Sequence, residues 1–209
     1  MRSTVAGVLL AAGQGSRFGR PKALVELDGR TLAERGVTML RAGGADPILI
    51  VTGAARVDLG PDHQARIVYN GEWRTGMGSS LRAALRALTE LEAGQDAGQE
   101  VGAAVVALAD QPLVGAEAVG RLIAAYQSGA GVAVAAYGGK PRNPVLLARE
   151  YWPEVIAAAT GDPLGPDMRR RAVAIEPMTC PPNAFVTADD LLVLEPGEKV
   201  THTWGVQAC

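Results

Sequence analysis

The 209-residue sequence has few aromatic residues and few cysteines, and each shortage limits how the core of the protein is built and stabilised. With three Trp, four Tyr and two Phe, the core must be built mainly from Val, Leu, Ile and Ala. The two cysteines, Cys180 and Cys209, lack the spacing of metal ligands, so we expect free thiols in a reducing compartment. At this length a core forms without disulfides or a structural metal.

The sequence also lacks an excess of positive charge and a long apolar run. Its formal net charge is −2, which argues against nucleic acid or an anionic membrane as partner. No segment reaches the roughly 18 apolar residues that a membrane span needs. Arg2 and the apolar residues 5–12 are similar to the start of a secretion signal, but no A-x-A cleavage site follows. We therefore expect a cytoplasmic protein.

Apolar runs of five to eight residues alternate with amphipathic helical patterns along the chain. Runs at 5–10, 48–52 and 103–108 are typical of strands buried on both faces of a parallel sheet. This alternation predicts an α/β fold, with three layers and helices on both faces of a mostly parallel sheet. A single domain over 1–209 is expected, with a nucleotide-binding half at about 1–115 and an acceptor-binding half at about 116–195.

Local signals define several predicted elements. Thr31 and Glu34 have capping-box spacing at the start of a helix. Ser79 and Ser80 are predicted to cap a helix that begins at Leu81. Residues 137–144, YGGKPRNP, are predicted to be an irregular loop because of their glycines and prolines.

The glycine-rich loop after the first strand admits two interpretations. Gly13, Gly15 and Gly19 follow the strand much as in a dinucleotide fingerprint. However, Pro21 falls inside the helix that a dinucleotide-binding turn requires, where it costs about 3 kcal/mol. The second strand also lacks a following acid for a ribose hydroxyl. Arg56 can serve a 2′-phosphate instead, so an NADP-binding reductase stays as an alternative.

The other interpretation is an open loop around a nucleoside triphosphate. Successive amides of a glycine-rich loop form a concave anion site, and Gly13 and Gly15 let the backbone approach phosphates closely. Arg17 and Lys22 add fixed positive charge that suits a leaving group gaining negative charge. This interpretation explains why glycines and cations occur together at the end of a strand.

Two further segments carry chemistry. Asp110 directly follows a buried strand, where open α/β sheets bind ligands, and it fits either a Mg²⁺ ligand or a helix cap. The segment NGEWRTGMGSSL, residues 70–81, offers hydroxyls, amides and a helix N-terminus to a phosphate or a polar ring.

These segments together resemble a known family. Residues 9–32, LLAAGQGSRFGRPKALVELDGRTL, are similar to the opening signature of the MobA-like NTP-transferase superfamily, and LADQP at 108–112 is similar to its magnesium-binding segment. Residues 70–81, GGKPRNPVLL at 138–147 and ATGDPLGPDMRRR at 159–171 resemble the molybdenum cofactor cytidylyltransferases in particular. The defining positions present in the signature are Leu10, Ala11, Ala12, Gly13, Ser16, Arg17, Phe18, Gly19 and Lys22.

The resemblance implies a glycosyltransferase-A-like fold and a Mg²⁺-dependent transfer of a nucleoside monophosphate. CTP is the implied nucleotide, because LAAG is similar to the cytidylyl branch, and a phosphorylated acceptor, molybdopterin, is the implied partner. A molybdoenzyme that receives the product is a further implied partner. The implied catalytic residues are Arg17, Lys22 and Asp110, with Mg²⁺ on Asp110. The implied nucleotide site is Leu10, Ala11, Ala12, Gly13, Gly15, Ser16, Arg17, Lys22, Asn70, Gly78, Ser79 and Ser80; the implied acceptor site is Trp73, Met77, Arg142, Asn143, Pro144 and Asp162.

The chain departs from this subfamily near its end. Ala184 and Val186 stand where two acids, one of them a second metal ligand, are expected. Asn143 stands where a histidine is expected. These departures leave a third interpretation open, a nucleotide-binding cofactor chaperone without catalytic activity.

Overall fold

The computed structural model describes residues 3–16, 18–60, 63–93, 100–137 and 140–158. All of them belong to one compact unit, Met1–Asp162. The single domain over 1–209 stays a prediction, because residues 159–209 lie outside the described part of the chain. Both cysteines and the departures at Ala184 and Val186 fall there too.

Six strands form one sheet in the order β5-β4-β1-β6-β8-β7. β5, β4, β1 and β6 pair in parallel, whereas β8 runs antiparallel to both β6 and β7. The prediction of a mostly parallel sheet is therefore confirmed. The strands are β1 (Thr4–Leu10), β2 (Glu26–Leu27), β3 (Arg30–Thr31), β4 (Ile48–Thr52), β5 (Arg66–Tyr69), β6 (Val101–Leu108), β7 (Val132–Tyr137) and β8 (Lys140–Ala148), with β2 and β3 forming a separate hairpin.

Helices cover both faces of the sheet, as predicted. The helices are α1 (Leu32–Ala42), α2 (Met77–Ala93), α3 (Ala116–Gln127) and α4 (Trp152–Ala158). On one face, apolar residues of α1 and α3 such as Val37 and Leu122 pack in a cluster with Leu9. On the other face, Leu85 of α2 and Trp152 of α4 pack in a second cluster. β1 and β4 lie between two helical layers, which is why their sequences are continuously apolar.

The start of α1 is fixed by the predicted capping box. The Thr31 hydroxyl accepts from the amide of Glu34, and the Glu34 carboxylate accepts from the amide of Thr31 at 2.7 Å. Hydrogen bonds from the Thr31 backbone and side chain lower the pKa of Glu34 below its ordinary value. The ionised form of Glu34 is thus the form that stabilises the helix start.

Two predicted boundaries are wrong. Helix α2 begins at Met77, so Ser79 and Ser80 lie in its first turn rather than before it. Residues 140–144 are part of β8 rather than an irregular loop. The register explains how a strand tolerates Pro144: Val134 pairs with Val145 and Ala135 with Arg142, so Asn143 and Pro144 form a bulge.

In the described part of the chain, no helix has the length and hydropathy that crossing a bilayer requires.

Candidate active site

A cavity of about 620 Å³ opens at the carboxyl ends of β1 and β6. Its walls are the loop after β1, residues 108–110 at the end of β6, and the first turn of α2 with the segment before it. This is the edge at which open α/β sheets bind their ligands. Of the residues predicted to bind ligand, the cavity is lined by Leu10, Ala11, Ala12, Gly13, Gly15, Ser16, Lys22, Trp73, Met77, Ser80 and Asp110.

The loop after β1 has a backbone shaped for an anion. Gly15 has φ +63°, and a Cβ at this position would overlap the carbonyl oxygen of Arg20, so only glycine fits the loop. A Cβ on Gly13 would meet no described atom within 4 Å, which leaves that backbone open to a ligand. Among the described residues, the amide groups of residues 12–16 have no hydrogen-bond acceptor. Consecutive free amides are the donors that bind phosphate.

Lys22 and Asp110 form an ion pair across the mouth of the cavity. The Lys22 Nζ donates to Asp110 Oδ2 at 2.8 Å, and the two side chains are 43% and 38% exposed. Lys22 comes from a 3₁₀ turn, Lys22–Leu24, and Asp110 from the end of β6. Lys22 and Asp110 are 88 residues apart in the sequence, so the fold brings these two predicted catalytic groups together. An exposed pair of this kind contributes at most about 1 kcal/mol and is easily separated.

A buried polar network supports the opposite wall. Asn70 is 5% exposed, Ser79 2% and Ser80 3%. The Asn70 Nδ2 donates to Ser79 Oγ at 2.9 Å and to Ser80 Oγ at 3.0 Å. Its Oδ1 accepts from the amide of Glu72 at 2.9 Å. Asn70 thereby joins the end of β5 to the first turn of α2, with all its side-chain hydrogen-bonding groups engaged.

Trp73 and Arg74 separate this cavity from a second one of about 360 Å³, whose walls include Arg20. The Arg74 guanidinium lies 4.3 Å from the centroid of the Trp73 ring. A Cβ at Gly53 would lie 2.6 Å from the Cβ of Trp73, so the glycine after β4 makes room for this tryptophan.

The remaining predicted site residues that the structure describes do not line either cavity. Asn70 and Ser79 lie behind the wall, and Gly78 lies beside them in α2. Arg142, Asn143 and Pro144 lie at the bulge of β8. Because β8 runs antiparallel to β6, this bulge lies at the same sheet edge as Asp110. Arg17 and Asp162 are outside the described residues.

The cavity also includes residues that the sequence did not single out. They are Gln14, Ala23, Arg74, Gly76, Leu108 and Ala109. Five of them adjoin a predicted residue in sequence. Leu108 and Ala109 were signalled only as part of the LADQP segment. Arg74 had a weak signal, as the cation inside the segment 70–81.

In the described ranges, no group of three or more His, Cys, Asp or Glu is placed to hold a metal ion. Asp110 is accordingly the carboxylate that the cavity offers, with Lys22 beside it. Mg²⁺ in nucleotide-dependent enzymes binds one or two carboxylates, with substrate phosphates and water completing its coordination. A single exposed carboxylate in the same cavity as the amides of residues 12–16 fits that requirement.

The fold and the cavity are those of an α/β protein with a candidate ligand site at the carboxyl edge of the sheet. Residues 7–175 match the model of the MobA-like NTP transferase domain. The chain belongs to this family, and its class is therefore that of the nucleotidyltransferases, as predicted from the sequence.

Individual relatives differ in what their names describe. A nicotine blue oxidoreductase of Paenarthrobacter nicotinovorans is 38% identical over 172 residues, which cover 76% of this chain and 78% of the relative. A probable molybdenum cofactor guanylyltransferase of Opitutus terrae is 51% identical over 49 residues, 23% of this chain and 24% of the relative. The crystal structure of a Mycobacterium sp. strain JC1 homologue of Mycobacterium tuberculosis rv0371c has a TM-score of 0.58 and 31% identity, covering 75% of each chain.

Proposed function

We propose that this chain is a Mg²⁺-dependent nucleotidyltransferase that moves CMP from CTP to a phosphorylated acceptor, molybdopterin, and releases pyrophosphate. The observation that carries the proposal is the cavity in which the amides of residues 12–16, which have no acceptor among the described residues, meet Lys22 and Asp110. Its volume of about 620 Å³ is within the usual range for small-molecule sites. A cytoplasmic location is part of the same proposal.

The reaction needs no covalent enzyme intermediate. An oxygen of the acceptor phosphate attacks the α-phosphorus, and the bond from that phosphorus to the β-bridging oxygen breaks in line. Pyrophosphate leaves with the bonding electron pair. Positioning and stabilisation of charge then account for the rate, and these are what a preorganised loop with fixed cations supplies.

Lys22 and Asp110, which form an ion pair in the structure, are proposed to have different roles. Asp110 is the residue that would hold Mg²⁺, and the ion would supply positive charge that offsets the charge of the phosphate oxygens. Lys22 leaves the carboxylate and binds the β- and γ-phosphates, where it offsets the charge on departing pyrophosphate. The pair is exposed and 2.8 Å long, so this exchange costs little. Arg17 is proposed to share the role of Lys22.

The acceptor is proposed to bind between Trp73 and Met77 on one side and the bulge of β8 on the other. Met77 is 61% exposed at the cavity wall and offers apolar surface to a ring. Arg142 and Asn143 lie at the sheet edge that also carries Asp110, which supports contact with an acceptor phosphate. Asp162 is proposed to complete this side.

A nucleotide panel tests the proposal. CTP, GTP, ATP and UTP, each with Mg²⁺, are compared by the shift in thermal unfolding, and pyrophosphate release is then measured with molybdopterin and other phosphorylated acceptors. We expect the largest shift with CTP and release only when the acceptor is present. The relative named a guanylyltransferase makes GTP the chief competitor. Nucleotide binding without pyrophosphate release from any acceptor would instead support the non-catalytic cofactor chaperone.

An oxidoreductase is the second candidate, and one observation favours it. The relative that shares 38% identity over most of both chains is named as a nicotine blue oxidoreductase. Against this, Arg56, the residue suited to an NADP 2′-phosphate, lines neither cavity. Oxidation of NADPH in the presence of nicotine blue, measured beside pyrophosphate release, separates the two functions.

A further inference from the structure

The second cavity, of about 360 Å³, is lined by two arginines from different elements. Arg20 lies in the loop after β1, and Arg74 lies in the 3₁₀ turn Trp73–Thr75 before α2. The described residues that line this cavity include no Asp or Glu. Lys22 and Asp110 line the first cavity and not the second. The second cavity therefore has positive charge of its own, apart from the ion pair at the proposed nucleotide site.

Both guanidinium groups lack an anionic partner in the described part of the chain. Neither Arg20 nor Arg74 forms an ion pair or donates a side-chain hydrogen bond to a described residue. Glu72, the acid nearest to Arg74 in the sequence, forms an ion pair with Arg82 instead. Two cations at one cavity repel each other, and a cleft lined by one sign of charge concentrates ions of the opposite sign. A bound anion offsets that repulsion.

The surroundings of the two arginines position them at this cavity. The Arg74 guanidinium lies 4.3 Å from the centroid of the Trp73 ring, and Trp73 packs against the second apolar cluster of the fold. Stacking on a ring face leaves the N–H groups at the edge of the guanidinium available to a ligand. The loop that carries Arg20 turns back on itself, because the amide of Phe18 donates to the carbonyl of Gly15 at 2.8 Å.

The chemistry of the second cavity suits a phosphate group. A guanidinium donates two parallel hydrogen bonds to adjacent oxygens of one phosphate, and two guanidinium groups match the charge of a phosphate dianion. Four residues line both cavities, namely Gln14, Ser16, Trp73 and Arg74. A phosphate group in the second cavity would therefore be adjacent to a ligand in the first.

We propose that Arg20 and Arg74 form a phosphate site in the second cavity, separate from the site of the nucleoside triphosphate. This inference goes beyond the proposed function, which assigns nothing to the second cavity. The phosphate group has two possible sources. One is inorganic pyrophosphate, the product of the proposed reaction, and the other is the 2′-phosphate of NADPH, the cofactor of the alternative reductase.

Titration calorimetry with inorganic pyrophosphate, without metal, provides the first test. The full chain is saturated with CTP beforehand, so that the first cavity is occupied. We expect pyrophosphate to bind to this complex, and Arg20→Met and Arg74→Met each to weaken its affinity about ten-fold or more, because each removes charge-assisted hydrogen bonds. Both arginines are exposed, so the variants should fold. Arg56→Met is the matched control and should not change the affinity, because Arg56 is an exposed cation that lines neither cavity.

The second test identifies the source of the phosphate group by comparing NADPH with NADH on the free chain. An affinity about ten-fold higher for NADPH, which Arg20→Met and Arg74→Met abolish, identifies the 2′-phosphate. Pyrophosphate binding that depends on both arginines, without a preference for NADPH, identifies the product of the proposed reaction.

Two results overturn the inference. One is that Arg20→Met and Arg74→Met change neither the affinity for pyrophosphate nor the preference for NADPH. The other is that CTP and pyrophosphate exclude each other while NADPH binds no more tightly than NADH, because every anion then binds at the nucleotide site. If the unmodified chain binds no CTP, the proposed function fails, and pyrophosphate titration of the free chain and its two arginine variants still decides this inference.

Discussion

The two walls of the cavity are held together in different ways. On the wall formed by the loop after β1 and the end of β6, Lys22 and Asp110 are exposed and joined by one ion pair. On the wall formed by the start of α2, Asn70, Ser79 and Ser80 are at least 95% buried and joined by neutral hydrogen bonds. The first wall is built to exchange partners and the second to remain fixed.

This difference follows from solvation. An exposed ion pair loses little when it is separated, since water solvates each charge. A buried hydroxyl or amide that loses its partner remains unsolvated, at a cost of about 1–3 kcal/mol. We therefore expect groups that change partners when a ligand binds to lie on the first wall, and groups that hold the shape of the site to lie on the second.

Replacing Asp110 tests the exchangeable wall and has the largest expected effect. Asp110→Asn removes the carboxylate that is proposed to hold Mg²⁺, and we expect pyrophosphate release to fall at least about 10³-fold. The side chain is 38% exposed, so the melting temperature should change little. Pyrophosphate assays across a Mg²⁺ titration provide the check. Activity within ten-fold of the unmodified enzyme at saturating Mg²⁺ contradicts the proposed role.

Replacing Lys22 has the next largest effect. Lys22→Met keeps the length of the side chain and removes its charge, and we expect the turnover number to fall about 10²-fold. The free energy of unfolding should fall by no more than about 1 kcal/mol, because an exposed ion pair contributes no more than that. The loss of turnover should therefore be larger than any loss of stability explains. Arg56→Met is the matched control, an exposed cation that lines neither cavity and has no ion pair to described residues. Equal losses of turnover in both variants would show that general positive charge matters and Lys22 does not.

Replacing Asn70 tests the fixed wall through stability. Asn70→Ala leaves the Glu72 amide without its partner and removes the donor to both serines. We expect the free energy of unfolding to fall by about 2 kcal/mol, measured by urea denaturation. Ser128→Ala, which removes an exposed hydrogen bond at the end of α3, should cost under about 0.5 kcal/mol. If both substitutions lower the free energy of unfolding equally, the network of Asn70, Ser79 and Ser80 is not a rigid element of the cavity wall.

Replacing Glu34 gives the smallest effect and lies away from both walls. The pKa of Glu34 is lowered in the folded state, so its contribution to stability is present above the ordinary glutamate pKa of about 4.3 and is lost as pH falls through the lower, folded value. Glu34→Gln keeps the capping geometry without the charge. We expect a loss of up to about 1 kcal/mol at pH 7 that shrinks toward pH 3 in urea unfolding. A loss that stays the same at both pH values contradicts the assigned role of the charge.

The sequence predicted the parts of this molecule that depend on local pattern. β4 was predicted to the residue, and the capping box at Thr31 was predicted from spacing alone. Asp110 was predicted because it directly follows a buried strand, and Lys22 because it adds positive charge to the glycine-rich loop after the first strand. The two strands are parallel neighbours, so both groups lie at one edge of the sheet. The sequence pattern and the expectation of a parallel sheet were sufficient to predict these features.

The parts that escaped prediction depend on contacts between distant residues. Glycine and proline content suggested a loop at 140–144, but pairing with β6 and β7 makes these residues a bulged strand. Ser79 and Ser80 have the composition of a helix cap, yet the partner they share, Asn70, lies at the end of another element. That Asn70 acts behind the cavity wall rather than in it cannot be deduced from spacing.

Transfer of the α-phosphate tests the central claim most directly. The enzyme is incubated with Mg²⁺, molybdopterin and CTP labelled at the α-phosphorus, and the products are separated. We expect label to appear in the acceptor, pyrophosphate to form in equal amount, and Asp110→Asn to abolish both. Label that remains in CTP, or that appears only as free CMP whether or not acceptor is present, would contradict it.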